Sequence, residues 1–373
     1  MYMPPAQIGD AVDAIDTPAL IVDLDAFERN LRKMAEFAQR AGVRLRPHAK
    51  THRCCAIALK QIALGAVGQC CQKVGEAEAL VRGGVRDVLV TNQVVDERKL
   101  RRLASLAKDA VVTLCFDAAE PVQAASRAAL ELGVELGGLV EIDVGMKRCG
   151  VPPGEAARDL ARRIDAAPGL RFRGLQAYQG AAQHLSTYAA RRNAVEQAAG
   201  QVRATVQLLE REGLRCELIG GAGTGTYPFE GGSGIWNELQ TGSYIFMDAE
   251  YGAIEGSDGA AYADFENSLF VLASVMSVAV PGRAVLDAGL KSFSIEKGLP
   301  LVHGLEGVRM AGASDEHGSL TVEPGAPALA LGDKVRLVPG HCDPTVNLHE
   351  CFVAVRNGRV EAVWPVTPRG ASR

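Results

Sequence analysis

The sequence predicts a (β/α)8 barrel of the TIM type, an α/β fold, followed by an antiparallel β domain. Two observations carry that prediction. Between residues 17 and 265 short apolar segments alternate with helical patterns, and from residue 266 onward strand-like segments separated by turns take over. Alternating strands and helices build a parallel sheet, because parallel neighbours need a crossover connection. Eight strand segments suit a closed barrel. An open doubly wound sheet is the alternative, and no Gly-x-Gly-x-x-Gly turn after the first strand supports its dinucleotide-binding form.

In chain order, the first helix begins near Asp23. Leu24, Phe27, Leu31, Met34, Ala35 and Ala38 recur at steps of three and four, and Gly42 is placed to end the helix. Barrel strands are expected at 43–47, 66–71, 85–91, 111–116, 136–144, 172–178, 216–220 and 239–246. Helical patterns fill the intervals at 76–81, 96–107, 119–132, 154–166 and 187–208. In the second domain strands are expected at 268–280, 283–287, 305–310, 319–322, 334–338 and 351–355, and Asn357-Gly358 reads as a hairpin turn leading to 360–364. The barrel is therefore assigned to 17–265, and the β domain to 266–373 together with 1–16.

The chain has 373 residues, more than one compact core usually carries. Hydrophobic residues at 47% and charged residues at 23% are ordinary for a folded protein. A net charge of −4 without a basic block argues against nucleic acid or a membrane surface as partner. No apolar run approaches the roughly 20 residues of a bilayer span. Met1-Tyr2-Met3-Pro4-Pro5 lacks the basic and apolar regions of a signal peptide. The nine cysteines include the vicinal pairs 54/55 and 70/71 and no Cys-x-x-Cys spacing, which points to reduced thiols in a cytoplasmic protein.

Three segments carry chemistry. Arg46-Pro47-His48-Ala49-Lys50-Thr51-His52 leaves the first barrel strand at the end where such barrels catalyse. Lys50 is expected in the barrel mouth, flanked by His48, His52 and Arg46. Neighbouring cations and burial favour its amine form, which condenses with carbonyls; a lone lysine at a helix start is otherwise simply solvated. Gly220-Gly221-Ala222-Gly223-Thr224-Gly225-Thr226 follows the seventh strand, where loops of this barrel usually hold phosphate, and Gly242-Ser243-Tyr244 closes the same site. Lysine and cradle together suit pyridoxal 5′-phosphate, with a phosphosugar substrate as the alternative. In the second domain, His341-Cys342-Asp343-Pro344-Thr345 is read as extended, which turns His341 and Asp343 to one face as a two-ligand site for a divalent ion and sends Cys342 the other way. A turn in which Asp343 caps backbone amides explains the same residues. Arg148 and Tyr178 end the fifth and sixth strands and are candidates for cofactor or substrate contacts; Arg148 pairing with Asp143 is the structural alternative. His48, His52 and His184 are candidate bases.

These motifs, with Cys-Cys-Gln-Lys-Val at 70–74, Arg-Cys-Gly at 148–150 and Leu-Gln-Ala-Tyr at 175–178, resemble the D-threonine aldolase and 3-hydroxy-D-aspartate aldolase family. D-serine dehydratase is a more distant relative. The resemblance runs in order from about Asp16 to Arg373 and implies fold-type III of the pyridoxal-phosphate enzymes, an alanine-racemase-like barrel plus β domain. By position it implies Lys50 as the Schiff-base lysine and Arg148, Tyr178, Gly223, Thr224 and Gly225 as cofactor contacts, beside Tyr244, which the strand order alone places at the site. It implies His341 and Asp343 as metal ligands, His341 serving catalysis too. It further implies a cytoplasmic homodimer acting on a small β-hydroxy-D-amino acid, with Mn²⁺ or Mg²⁺ favoured over Zn²⁺. His-x-Asp in place of the His-x-Cys of dehydratase-type relatives leans toward aldol cleavage. 3-Hydroxy-D-aspartate aldolase, or a D-serine or D-3-hydroxyaspartate dehydratase using the same residues, is the alternative. Ala222 departs from an expected run of glycines and matters only if the backbone there needs positive φ.

Overall fold

The computed structural model describes residues 3–373; Met1 and Tyr2, the start of the stretch read for a leader, lie outside the described residues. Strand β1 (Ala19–Asp23) precedes the first helix, Leu24–Ala41. Asp23 caps that helix by accepting from the Asp25 and Ala26 amides, and Gly42 ends it in left-handed geometry at φ 67°. Its buried face, with Leu24, Phe27, Leu31, Met34 and Ala38, is the periodic stripe of the sequence.

Eight parallel strands follow: β2 (Arg44–Leu45), β3 (Gln69–Cys71), β4 (Asp87–Gln93), β5 (Val111–Phe116), β6 (Leu136–Glu141), β7 (Leu170–Gln176), β8 (Leu218–Gly221) and β9 (Glu238–Leu239). Their order is β2-β9-β8-β7-β6-β5-β4-β3. A parallel bridge between His48 and Cys70 joins the two ends of that order, so the barrel closes. Cys70, Leu89, Cys115, Leu139 and Leu218 form its inner core, so two of the thiols act there as small apolar fillers. Below them the buried Arg46 guanidinium is bound by Asp87 and Glu238. Gly68 is required beside it, because a Cβ there would lie 2.5 Å from an Arg46 nitrogen.

The second sheet runs β13 (Val308–Ala313), β14 (Gly318–Val322), β11 (Arg283–Leu286), β10 (Leu269–Val280), β1, β16 (Cys351–Arg356), β17 (Arg359–Pro365), with β15 (Lys334–Val338) joining β10 to β12 (Leu301–Val302). Strand β1 pairs antiparallel with β10 and parallel with β16. The domain boundary expected at residue 17 is therefore corrected: residues 19–23 belong to the β domain. The local signal in the sequence starts at the first helix, whereas these five residues pair with partners more than 240 positions away. Among the described residues no helix is long and apolar enough to cross a membrane.

Candidate active site

The carboxyl ends of the barrel strands open on a cavity of about 180 Å³. His48, Lys50, Arg148, Tyr178, His184, Gly223 and Thr224 line it, as do Gln72, Thr91, Glu141, Gln240, Ser243 and Tyr251. Lys50 sits in the turn after β2, where its backbone amide donates to His48 Nδ1 at 3.3 Å. Its ammonium forms an ion pair with Asp343 of the β domain. Burial opposes the Lys50 charge, but the Asp343 carboxylate outweighs it and holds the ammonium above the ordinary lysine range. Burial likewise pushes the Asp343 carboxyl up, and Lys50 and His341 pull it further down, to about 2. This corrects the expectation that nearby cations and burial favour the amine form of Lys50. Arg46 points down into the barrel core, and the nearest charge is a carboxylate 293 residues along the chain.

His341-Cys342-Asp343 is not extended. His341 is the N-cap, with φ −145°, of a short helix at Cys342–Val346, and Asp343 lies in its first turn. Asp343 turns to Lys50, while His341 Nδ1 contacts the Glu296 carboxylate. Thr345 Oγ1 donates back to His341 O at 2.9 Å. The buried Cys342 thiol donates to Asp248 Oδ2 at 3.2 Å, so it is turned away as expected, by a helical turn rather than a strand. Among the described residues no group of three or more His, Cys, Asp or Glu side chains is placed to hold a metal ion.

The phosphate-loop candidates divide. Gly223 and Thr224 line the cavity, and the Thr224 hydroxyl is buried with no hydrogen-bond partner. Gly225 does not: its amide donates to Gln183 Oε1 at 2.9 Å, behind the loop. Ala222 adopts φ 73°, so the departure from glycine falls where left-handed backbone is needed. Tyr244 is also corrected. Residues Ser243–Ile245 form a 3₁₀ turn instead of continuing a strand, which presents Ser243 to the cavity and drives Tyr244 into the core. There its hydroxyl accepts from Gln61 Nε2 at 3.0 Å and its ring packs on Phe265.

The three histidines separate clearly. His52 is sealed in the core, held neutral by burial, and its Nδ1 accepts from the Cys54 amide. His48 is also held neutral by burial, with Thr91 Oγ1 at 3.0 Å and Gln72 Nε2 at 2.8 Å from its Nε2. His184 is half exposed on the cavity wall, with Nδ1 2.6 Å from Glu250 Oε1. The sequence reading missed Asp248, Glu250, Tyr251 and Glu296. Asp248 accepts from the Tyr251 and Cys342 amides at 3.0 Å, so one barrel carboxylate caps two short helices. The run Asp-Ala-Glu-Tyr is a helix-start pattern and was the available signal for the first of them.

A closed parallel barrel with a lysine at the end of its first strand, completed by a β domain, defines an alanine-racemase-like enzyme of fold-type III. Residues 22–250 match the alanine racemase N-terminal domain, and residues 268–355 match a putative serine dehydratase domain. The chain is 51% identical over 373 residues to 3-hydroxy-D-aspartate aldolase of Paracoccus denitrificans (strain Pd 1222), covering 99% of this chain and 96% of that protein. It is 48% identical to D-threonine aldolase of Arthrobacter sp, covering 99% and 97% respectively. The crystal structure of D-threonine aldolase from Filomicrobium marinum superposes with a TM-score of 0.95 at 47% identity, over 99% of this chain and 100% of that one. The chain belongs to the D-threonine aldolase and 3-hydroxy-D-aspartate aldolase family and is a carbon–carbon lyase of that type.

Proposed function

We propose that this enzyme uses pyridoxal phosphate and a divalent metal ion to cleave β-hydroxy-D-amino acids of the D-threonine type to glycine and an aldehyde. The observation that carries the reading is the contact between Lys50, which lines the barrel cavity, and Asp343 of the β domain. A single small amino acid spans the distance between an electron sink tethered at the first residue and a cation held at the second.

The residues fit both groups. The orphaned Thr224 hydroxyl and the adjoining Gly223 backbone suit a phosphate, and Lys50 suits the aldehyde. Arg148 and Tyr178 face the same space and suit the ring oxygen or a substrate carboxylate. Asp343 Oδ1 is buried without a partner, and His341 engages Glu296 through Nδ1, which leaves Nε2 for a metal in the pattern typical of ligating histidines. An imidazole and a carboxylate accept Mn²⁺ or Mg²⁺, and Zn²⁺ as well.

When bound, pyridoxal phosphate supplies a carbonyl that takes up the substrate amine and a ring that accepts the electron pair released at Cα. A divalent ion lowers the pKa of a hydroxyl it binds. The protein's own part is orientation and proton transfer. His341 and Asp343 fix the side of the cavity on which the β-hydroxyl lies, which selects the Cα–Cβ bond for cleavage. His184 takes the hydroxyl proton in this reading: the ring nitrogens of His48 are engaged, His52 is sealed, and His184 lines the cavity with Nδ1 held 2.6 Å from Glu250 Oε1.

Incubation with D-threonine tests the reaction class, with glycine and acetaldehyde as the expected products. 2-Oxobutanoate and ammonia as main products would assign a dehydratase instead. The same assay with 3-hydroxy-D-aspartate ranks the β-substituents.

A further inference from the structure

The phosphate-loop candidate rests on a buried polar layer that the proposed chemistry does not use. Arg191, in the first turn of the helix Tyr188–Arg211, is fully buried. Its Nε donates to Gly225 O at 3.0 Å, its Nη1 to Leu185 O at 3.0 Å and Ser186 O at 3.1 Å, and its Nη2 to Glu255 O. Every acceptor is a backbone carbonyl. The guanidinium also lies 5.9 Å from the Tyr188 ring, and the Glu255 and Asp264 carboxylates act on it only from beyond ion-pair distance.

The rest of the layer is neutral. Gln183 accepts the Gly225 amide and donates to Thr226 Oγ1 at 2.7 Å, and Thr226 donates to Glu230 Oε1 at 2.8 Å. Burial pushes the Glu230 carboxyl up to about 8, so it keeps its proton at neutral pH. The layer is pressed against the loop: a Cβ at Gly223 would lie 2.4 Å from Gln183 Oε1. A buried charge without an ionic partner is costly. The loop that accepts from Arg191 on one side presents Gly223 and Thr224 to the cavity on the other.

Resting on the cofactor reading above, we propose that Arg191 is a positioning residue whose charge is matched, across the Gly225 peptide, by the phosphate of pyridoxal phosphate. A deep counter-charge makes the phosphate, rather than the ring, the main handle for cofactor capture. It also keeps the guanidinium out of reach of substrate carboxylates, a task left to Arg148 at the rim.

The test compares equilibrium dissociation constants of the cofactor-free enzyme for pyridoxal phosphate and for pyridoxal, by dialysis. Wild type is expected to prefer the phosphorylated form strongly. Arg191→Gln is expected to weaken pyridoxal phosphate binding by roughly 30-fold while pyridoxal binding changes by less than about threefold. Arg191→Lys keeps the charge and is expected to stay within about fivefold of wild type for pyridoxal phosphate; it carries the test if the Gln variant does not fold. Equal losses for both ligands, unchanged pyridoxal phosphate affinity in Arg191→Gln, or a loss in Arg191→Lys as large as that predicted for Gln would overturn the proposal. Wild type that binds neither ligand would overturn the cofactor reading itself.

Discussion

The two partners of the Lys50–Asp343 contact are held by different constructions. On the barrel side the lining residues lie on, or on the short connections after, strands that are paired on both flanks around a closed ring. On the β-domain side a single short helix, Cys342–Val346, supplies the partner of Lys50 through Asp343, and it lies outside the strands. Its start is fixed by side chains: Asp248 on the Cys342 amide, Glu296 on His341, and Thr345 on the His341 carbonyl. Lys50–Asp343 is the contact across which the two constructions meet. The comparison teaches that the half proposed to hold the cofactor should tolerate local change, while the half proposed to hold a metal depends on a few caps.

Removing the barrel partner is the most severe way to break this arrangement. Lys50→Ala should lower turnover by about 10³-fold or more and abolish the borohydride-trapped bond between cofactor and protein, read by mass spectrometry. Survival of that bond would refute the assignment of Lys50. Asp343→Asn leaves the shape but removes the charge. It should cut activity and metal affinity by about 100-fold, checked by titration with Mn²⁺, while pyridoxal phosphate still binds. Next comes Asp248→Ala, which leaves two buried amides without their acceptor. It should cost about 3 kcal/mol, measured by urea unfolding, and should weaken metal binding more than cofactor binding. Equal weakening of both would show that the two constructions are not independently supported.

Much of the barrel wall was legible because its signals are local. The first helix carries its own stripe, cap and terminating glycine, and the strand ends after β2, β6, β7 and β8 could be counted in order. What was not legible depended on distant partners. Strand β1 pairs with residues 269–272 and 353–355, and the charge that governs Lys50 comes from Asp343. His341 and Asp343 are singled out in the sequence on a strand geometry that the helix replaces: the Pro344 that suggested a turn sits within the first turn of that helix, where a missing amide costs nothing. Tyr244 was misread because an apolar run at 239–246 looks like a strand and breaks into a 3₁₀ turn.

Two smaller effects sharpen the contrast from the barrel side. Glu230 has its proton affinity raised by burial to about 8, so the folded state keeps a proton that the unfolded chain loses above roughly pH 4.3. Stability from this group therefore falls as pH rises between those values and levels off above the upper one. Glu230→Gln should remove that fall, so the variant gains on wild type between pH 5 and about 8 in parallel urea titrations. A constant difference across the range would show that Glu230 is ionised in the fold. Ala222→Gly relieves a left-handed alanine at some cost in unfolded-chain entropy. A net gain of about 0.5 kcal/mol is expected, without change in metal affinity.

The most direct measurement is an anomalous difference map from crystals of the enzyme loaded with pyridoxal phosphate and Mn²⁺. The account predicts a manganese peak bound by His341 and Asp343, with continuous electron density from Lys50 to the cofactor in the same cavity. A peak at other ligands, or cofactor density detached from Lys50 and remote from that ion, would contradict it.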